Sequence, residues 1–158
     1  MSLPEPNEYQ MVLNLQAALL AIAVASGYYH DLSPTAVRLD ANANIEELIG
    51  ENQVRPFVLI NVLPETRTYS PAMRVDIATP IEIHFVNEPP DPDDATRLRE
   101  FFRARADIER AVTRDITRGG TAIDTKILDN SLEQVDGTSL VWTKTQLRVL
   151  SRRVYGAA

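Results

Sequence analysis

The sequence predicts a two-layer α+β domain that spans residues 1–158, with a mainly antiparallel four- or five-stranded sheet and two main helices on one face. Three observations predict this fold class: two amphipathic helical patterns, one strongly alternating strand pattern, and a hairpin pattern towards the carboxyl end. The chain is 44% hydrophobic and 24% charged, close to the average for globular domains. A chain of this length fits one domain with a buried core.

The two main helices are predicted at residues 8–26 and 94–118. In both, apolar residues recur at helical spacing. Those of the first helix are Val12, Leu15, Leu19 and Ile22, and those of the second are Leu98, Phe101, Ile108 and Val112, interrupted by Arg105. We expect Gly27 to end the first helix and Gly119-Gly120 to end the second. We also expect Asp91 to cap the second helix and Pro92 to be its first residue.

The main strands are predicted at residues 56–63, 73–87, 121–135 and 138–154. The first is almost continuously apolar, which favours a central strand that is covered on both faces. The second alternates between apolar and polar residues, and Pro80 within it implies a sheet edge or a bulge because proline has no N–H. The last two form a hairpin around a two-residue turn at Asp136-Gly137.

The hairpin has an internal conflict of register. A two-residue turn pairs Leu132 with Val141, yet it places Ile127 on the face opposite to Leu132. A β-bulge reconciles the two sets of apolar residues.

Three shorter segments have weaker patterns. Val37 and Leu39 favour a short strand, and residues 45–49 favour a brief helical turn. Residues 65–72 are expected to form a loop or an irregular hairpin arm.

Charge is divided unevenly along the chain. Residues 1–95 hold 4 basic and 14 acidic side chains, a net charge of −10, whereas residues 96–158 hold 12 basic and 8 acidic side chains, a net charge of +4. One interpretation is that a basic face of one copy meets an acidic face of the next copy or of another partner; the other is ordinary solubilising charge. The overall net charge of −6 argues against general nucleic-acid binding, so we expect no sequence-specific nucleic-acid partner.

Side chains that support catalysis or metal binding are scarce. The absence of cysteine excludes disulfides, thiolate metal sites and cysteine nucleophiles. His30 and His84 have no ligand neighbours at helical spacing, and we interpret both as ordinary surface histidines. Gly119-Gly120 follows a helix, which is the reverse of the order in a phosphate-binding loop. We therefore predict a protein that is not an enzyme, with no catalytic residues, no cofactor and no metal.

A membrane partner is not expected either. The longest apolar run, Ala17–Ala25, is too short to cross a bilayer.

Surfaces for assembly remain as candidate sites. The arginines of the second helix form either a solvated, salt-bridged face or an assembly surface. Trp142 lies on the strand face opposite to Val141 and Leu147, so either another layer of this chain or a second subunit covers it. The predicted interface residues are Arg67, Tyr69, Trp142, Arg152, Arg153 and Tyr155.

The order of these patterns resembles a known family. An amphipathic helix leads to the Gly27-Tyr28-Tyr29 turn and the strand Arg55–Ile60, then to a long alternating strand. The segments Ala106–Val112 and Gly119–Asp124 and a closing hairpin follow. This order is similar to that of the tail terminator, or tail-completion, proteins of long-tailed bacteriophages.

The resemblance implies a structural role in the virion. It implies a ring, usually of six subunits, that caps the head-proximal end of the tail tube, ends its elongation and joins it to the head connector or stopper protein. The partners would be the chain itself, the tail tube protein and the connector, with assembly in the host cytoplasm.

Two other functions are compatible with the residues. One is a monomeric adaptor of the phage neck or baseplate, or another protein-binding module, that uses the Trp142 face on a different protein. The other is a small hydrolase that uses surface carboxylates, although spacing alone does not identify a catalytic pair.

Overall fold

A computed structural model describes residues 3, 6–32, 37–41, 44–51, 55–71, 73–90, 93–133 and 139–154. In chain order the regular elements are α1 (Asn7–Leu20), a short 3₁₀ helix (Val24–Ser26), β1 (Val37–Ala41), α2 (Ile45–Glu51), β2 (Phe57–Val62), β3 (Thr66–Ser70), β4 (Arg74–Asn87), α3 (Asp94–Thr113), β5 (Asp124–Glu133) and β6 (Val141–Val154). Three consecutive strands lie between α2 and α3, and a final pair of strands follows α3.

The strands form one mixed sheet with the order β1-β2-β4-β6-β5. β3 also pairs with β4, with residues 74–78, whereas β2 pairs with residues 81–86. The β1–β2 pair is parallel and the other pairs are antiparallel. The predicted α+β class and the mainly antiparallel sheet are therefore confirmed. The strand number is six instead of four or five, because residues 66–70 form a strand where a loop or an irregular arm was expected. This strand carries no alternating apolar signal, since its residues are almost all exposed.

Pro80 lies at the centre of β4, where β2 ends and β3 begins. The carbonyl of Pro80 accepts a hydrogen bond from Leu63 N–H at 3.0 Å. The backbone of Pro80 therefore points to the edge of β4 along which β2 and β3 lie. In an antiparallel strand the N–H and C=O of one residue point to the same neighbour. The missing N–H of Pro80 therefore faces the junction between β2 and β3, and the ladder between β4 and β6 continues without interruption.

The two main helices pack on one face of the sheet, here called the helix face, as predicted. Leu15 and Leu19 of α1 and Ile108 and Val112 of α3 are buried there against alternate residues of the strands. The strand residues of this core are Val58, Ile60, Ile81, Ile83, Phe85, Leu147 and Val149. This packing fixes which residues of β4 point away from the helices.

Both helices are shorter than the sequence predicts. α1 ends at Leu20, and the Asp31 carboxylate accepts a hydrogen bond from Val24 N–H at 2.7 Å, which caps a separate 3₁₀ turn. Gly27 ends that turn with a φ of 89°. α3 ends at Thr113, because the Asp115 carboxylate accepts hydrogen bonds from backbone N–H groups of the following turn.

α3 begins at Asp94, as predicted, but its N-cap residue differs from the prediction. Asp93 is its N-cap residue, and its carboxylate accepts a hydrogen bond from Thr96 N–H at 2.7 Å. The predicted cap, Asp91, and Pro92 lie outside the described residues.

A second core lies on the opposite face of the sheet, here called the outer face. The short helix α2 covers part of this face with Leu48 and Ile49, above Phe57 and Leu59 of β2. Trp142 belongs to the same core and is 7% exposed. Of the two alternatives for Trp142, the structure shows cover by another layer of this chain. The second core also explains why β2 is apolar on both faces.

The closing pair of strands contains the expected β-bulge. The register shifts between Ile127 and Asp129, so that Ile127 and Leu132 point to the same face. Leu132 pairs with Thr143 instead of Val141, which differs from the register of a two-residue turn. The turn itself, at Asp136-Gly137, lies outside the described residues.

Replacement of Trp142 by alanine tests the second core. We expect the free energy of unfolding to fall by about 3–5 kcal/mol, as for other large-to-small aromatic replacements in cores. Urea titration of a dilute sample measures this loss. The matched control is Tyr69→Ala, which removes an aromatic ring that is 59% exposed and should change stability by less than about 0.5 kcal/mol. Equal effects of the two replacements would contradict the assignment of Trp142 to the core.

Candidate interaction surfaces

Four of the predicted interface residues meet at one end of the sheet. This end, here called the sheet tip, consists of β3, residues 74–78 of β4 and residues 150–154 of β6. Tyr69 pairs with Val75, which in turn pairs with Arg153, so Tyr69 and Arg153 share a face. Arg67 lies on that face too, and Arg152 lies on the outer face.

The other two predicted interface residues do not join them. Trp142 lies near the opposite end of β6, about 35 Å from Arg153 along a strand that rises about 3.3 Å per residue. Tyr155 lies outside the described residues.

Each of the three predicted interface arginines at the sheet tip has a carboxylate partner within this chain. Arg67 binds Glu65 at 2.7 Å, Arg152 binds Asp76 at 2.7 Å, and Arg153 binds Glu8 of α1. The hydrogen bond to Glu65 raises the pKa of Arg67, and the hydrogen bond from Arg152 lowers the pKa of Asp76. Their charges are thus largely balanced, and the exposed tip offers Tyr69 and Met73, which are 59% and 63% exposed, as contact area.

A cationic pair marks the β5 end of the sheet. Lys126 of β5 and Arg148 of β6 lie directly opposite each other on the outer face, and both are exposed. Within the described residues Arg148 has no hydrogen-bond or ion-pair partner, while Lys126 Nζ lies 3.9 Å from an Asp124 carboxylate oxygen. Two exposed apolar residues lie near Lys126 in the sequence: Ile123, just before β5, and Leu128, in the bulge. We call Ile123, Lys126, Leu128 and Arg148 the basic end.

Acidic residues lie on α2, which follows the terminal strand β1 in the chain. α2 connects β1 to β2 and carries Glu46 and Glu47 in its first turn, where the helix dipole favours negative charge. Both carboxylates are exposed and have no ion-pair partner among the residues that the structure describes. Beside them, the exposed pair of Arg38 and Asp40 on β1 is loose, at 3.9 Å. We call Glu46 and Glu47 the acidic end.

His30 is buried between two carboxylates of α3, which corrects its interpretation as a surface histidine. Asp107 binds His30 Nδ1 at 2.8 Å and accepts hydrogen bonds from the backbone N–H groups of Tyr29 and His30 at 3.0 Å. Glu100 lies 3.1 Å from His30 Nε2 and also accepts a hydrogen bond from Asn87 at 3.1 Å. This cluster ties the turn after α1 to α3 and to the end of β4.

The two carboxylates set the charge state of His30. Burial alone lowers the pKa of a histidine, because it disfavours the imidazolium. Here the hydrogen bonds and negative charges of Asp107 and Glu100 outweigh burial, so the pKa of His30 lies above its usual value of 6.5. A protonated His30 donates to both carboxylates at once, which is the role of a structural clamp.

His84 is also buried, on the outer face of the sheet, and its burial corrects its interpretation as a surface histidine. Trp142 Nε1 donates a hydrogen bond to His84 Nδ1 at 2.9 Å. Burial, together with the nearby Lys144, lowers the pKa of His84, although Glu82 opposes the shift. Glu82 itself is held by Lys144 at 3.2 Å and by Asn61 at 3.1 Å. The neutral imidazole thus acts as an acceptor for the buried tryptophan.

Sequence reasoning missed the acidic partners of His30 because it placed the buried stripe of α3 one position too far along the helix. The predicted stripe broke at Arg105, whereas Ala104, Ile108 and Ala111 are buried. Moving the stripe by one residue places Glu100 and Asp107 on the buried face, so the break at Arg105 was the available signal.

Neither cluster forms a metal site: no group of three metal-ligating side chains with suitable geometry occurs in the described ranges. No helix among these residues is long and apolar enough to cross a membrane.

Comparison with known proteins gives limited information. No family model matches the chain, and no curated protein matches it. One solved structure that it resembles is a chain of the "Virion of native gene transfer agent (GTA) particle", with 12% sequence identity and a TM-score of 0.45. The alignment covers 88% of this chain and 92% of that chain. Similarity at this level carries no conclusion about function.

The two histidines should titrate on opposite sides of pH 6.5. NMR of the ring protons is expected to give a pKa above 6.5 for His30 and below 6.5 for His84. His30 then adds stability that is complete below pH 6.5 and is lost as the pH rises through its folded pKa. His84 acts in the opposite sense, since it costs stability as the pH falls below 6.5.

His30→Gln isolates the contribution of His30. The difference in unfolding free energy between the native chain and this variant should grow as the pH falls from 9 to about 6.5, since the variant retains His84. A pH-independent difference, or a His30 pKa below 6.5, would contradict the clamp.

Proposed function

We propose that this chain is a structural protein of a phage-type virion that assembles into a closed ring of six subunits. The ring caps the head-proximal end of the tail tube, ends tube elongation, and joins the tube to the head connector or stopper protein. The chain acts by matching surfaces and not by catalysis. The order of helices and strands in the sequence, which is similar to that of tail terminator proteins, supports this assignment.

The observation that carries the proposal is the difference between the two ends of the sheet. β1 and β5 are its terminal strands, and no other strand in the described part of the chain pairs with their outer edges. The acidic end lies on α2, which begins four positions after the terminal strand β1 ends, and the basic end lies on β5 and β6. A surface that meets a different surface on the next copy makes a heterologous contact, and such contacts close into rings when the rotation allows it.

The sheet tip is suited to a second kind of contact. It extends beyond β5 along the strand direction, because residues 151–154 of β6 have no partner in β5, so most of it stays accessible when a neighbour occupies that end. Tyr69 and Met73 supply exposed aromatic and thioether surface, which is enriched in protein interfaces. We assign the tail tube protein or the connector to this surface.

Mass measurement and imaging of the purified chain test the ring. Native mass spectrometry and negative-stain images at high protein concentration, with and without tail tubes, should show closed rings of six copies. A chain that stays monomeric under all these conditions contradicts the proposal. A stable one-to-one complex with one different protein favours the adaptor function instead.

The double variant Arg152→Glu and Arg153→Glu separates the two contacts. Exposed ion pairs contribute little to folding, so the domain should stay folded and still form rings. Its rings should no longer bind tail tubes or the connector, because Asp76 and Glu8 now face added negative charge. Arg97→Glu, on α3 and without an ion pair in the described structure, is the matched control and should bind as the native chain does.

A further inference from the structure

We propose that Lys126 and Arg148 of one copy bind the carboxylates of Glu46 and Glu47 of the next copy. This inference rests on the proposed ring and names the contact that closes it. The partner is a second copy of this chain, in a head-to-tail arrangement.

The first reason for this contact is the repulsion between Lys126 and Arg148 within one copy. Like charges that lie directly opposite each other in a sheet repel, and a single chain has no need of such a pair. The carboxylates nearby in the β5 sequence do not remove the repulsion. Asp124 reaches Lys126 at 3.9 Å, and Asp129, beyond the bulge, forms no ion pair in the described part. A carboxylate from a second copy would balance the repulsion between Lys126 and Arg148, so the cationic pair stabilises the assembled state.

The second reason for this contact is that most other arginines already have partners within the chain, whereas Arg148 has none among the described residues. Examples are the three predicted interface arginines at the sheet tip and the two that bind Glu100, Arg99 and Arg103. Arg110 and Arg114 bind the turn at Gly27 and Tyr28. Arg148 thus stands out as an exposed guanidinium with no internal role.

Apolar surface beside the cations supplies contact area. Ile123 and Leu128 are 42% and 57% exposed, and they flank Lys126 in the sequence. Protein interfaces combine such apolar surface with arginine, and their charged groups mainly set register and association rate. We expect the apolar residues to contribute affinity and the charges to select the correct end of the neighbour.

The choice of a second copy follows from where the charges lie. The acidic end belongs to the segment of the chain with a net charge of −10, and the basic end belongs to the segment with +4. No ion pair joins Glu46 or Glu47 to Lys126 or Arg148 among the described residues of one subunit. The acidic end of one copy can therefore meet the basic end of the next copy.

Charge reversal tests the contact. The basic-end variant carries Lys126→Glu and Arg148→Glu, and the acidic-end variant carries Glu46→Lys and Glu47→Lys. Each alone places like charges at every contact, so the concentration for half-maximal assembly should rise about tenfold or more, as measured by sedimentation velocity. An equimolar mixture restores opposite charges at every contact of an alternating ring of even number, so it should assemble close to the native concentration.

Controls and contrary outcomes separate this contact from the ring itself. Arg97→Glu changes one charge on the helix face and should leave assembly unchanged. Arg148→Gln and Glu47→Gln are milder variants, expected to weaken assembly in the same direction if a reversal variant fails to fold. Native-like assembly of the reversal variants, or a mixture that assembles no better than its components, overturns the contact while rings of the native chain still support the proposed function. A native chain that forms no ring contradicts the proposed function and this contact with it.

Discussion

The pairing of β4 with β6 is the constraint on which the rest of the structure depends. All 14 residues of β4 have a partner in β6, from Arg74 opposite Val154 to Asn87 opposite Val141. Because side chains alternate between faces, this register places Ile81, Ile83 and Phe85 beneath the helices and sends the intervening residues to the outer face. A shift of one residue would exchange the two sets, so burial of the apolar set holds the register. Arg148 of the basic end and Arg152 and Arg153 of the sheet tip take their positions from this ladder.

Ionisable side chains serve two purposes in this chain. Several of those inside the fold are matched within a few ångström, as with His30 between Asp107 and Glu100, or Glu82 between Lys144 and Asn61. Burying such groups requires partners, and these clusters fix how α3 and the turn after α1 meet the sheet. The charges at the two ends of the sheet are exposed and have weak partners or none among the described residues. This division leaves the exposed charges at the two ends available to other copies of the chain.

Sequence reasoning located the elements with periodic patterns and failed where contacts between distant segments decide the structure. The alternation in residues 73–87 and the continuous apolar run of β2 are local signals, and both strands were predicted. β3 gives no such signal, because pairing with β4 and not burial makes it a strand. The ends of α1 and α3 depend on Asp31 and Asp115, whose side chains bind backbone groups that helical spacing does not reveal. The burial of His30 depends on residues about 70 positions away in the sequence.

The candidate surfaces were predicted only in part, because contacts between distant segments also decide which of their residues meet. Arg67, Tyr69, Arg152 and Arg153 were chosen from separate segments, and the antiparallel pairing of three strands brings them to one tip. Lys126 and Arg148 were missed, since their opposition requires the bulge at Leu128 and the true register of the hairpin. Trp142 was chosen for its bulk on a polar strand face, and in the structure it is buried in the second core, to which α2 also contributes.

The central claim is that unlike ends of neighbouring copies meet, and disulfide cross-linking measures this directly because the native chain has no cysteine. One variant carries Lys126→Cys and a second carries Glu47→Cys; each is kept under mild oxidation alone and as an equimolar mixture. The account predicts cross-linked dimers in the mixture that contain one copy of each variant, and little cross-linking of either variant alone. Efficient cross-linking of either variant with itself, or none in the mixture under conditions where the chain forms rings, would contradict it.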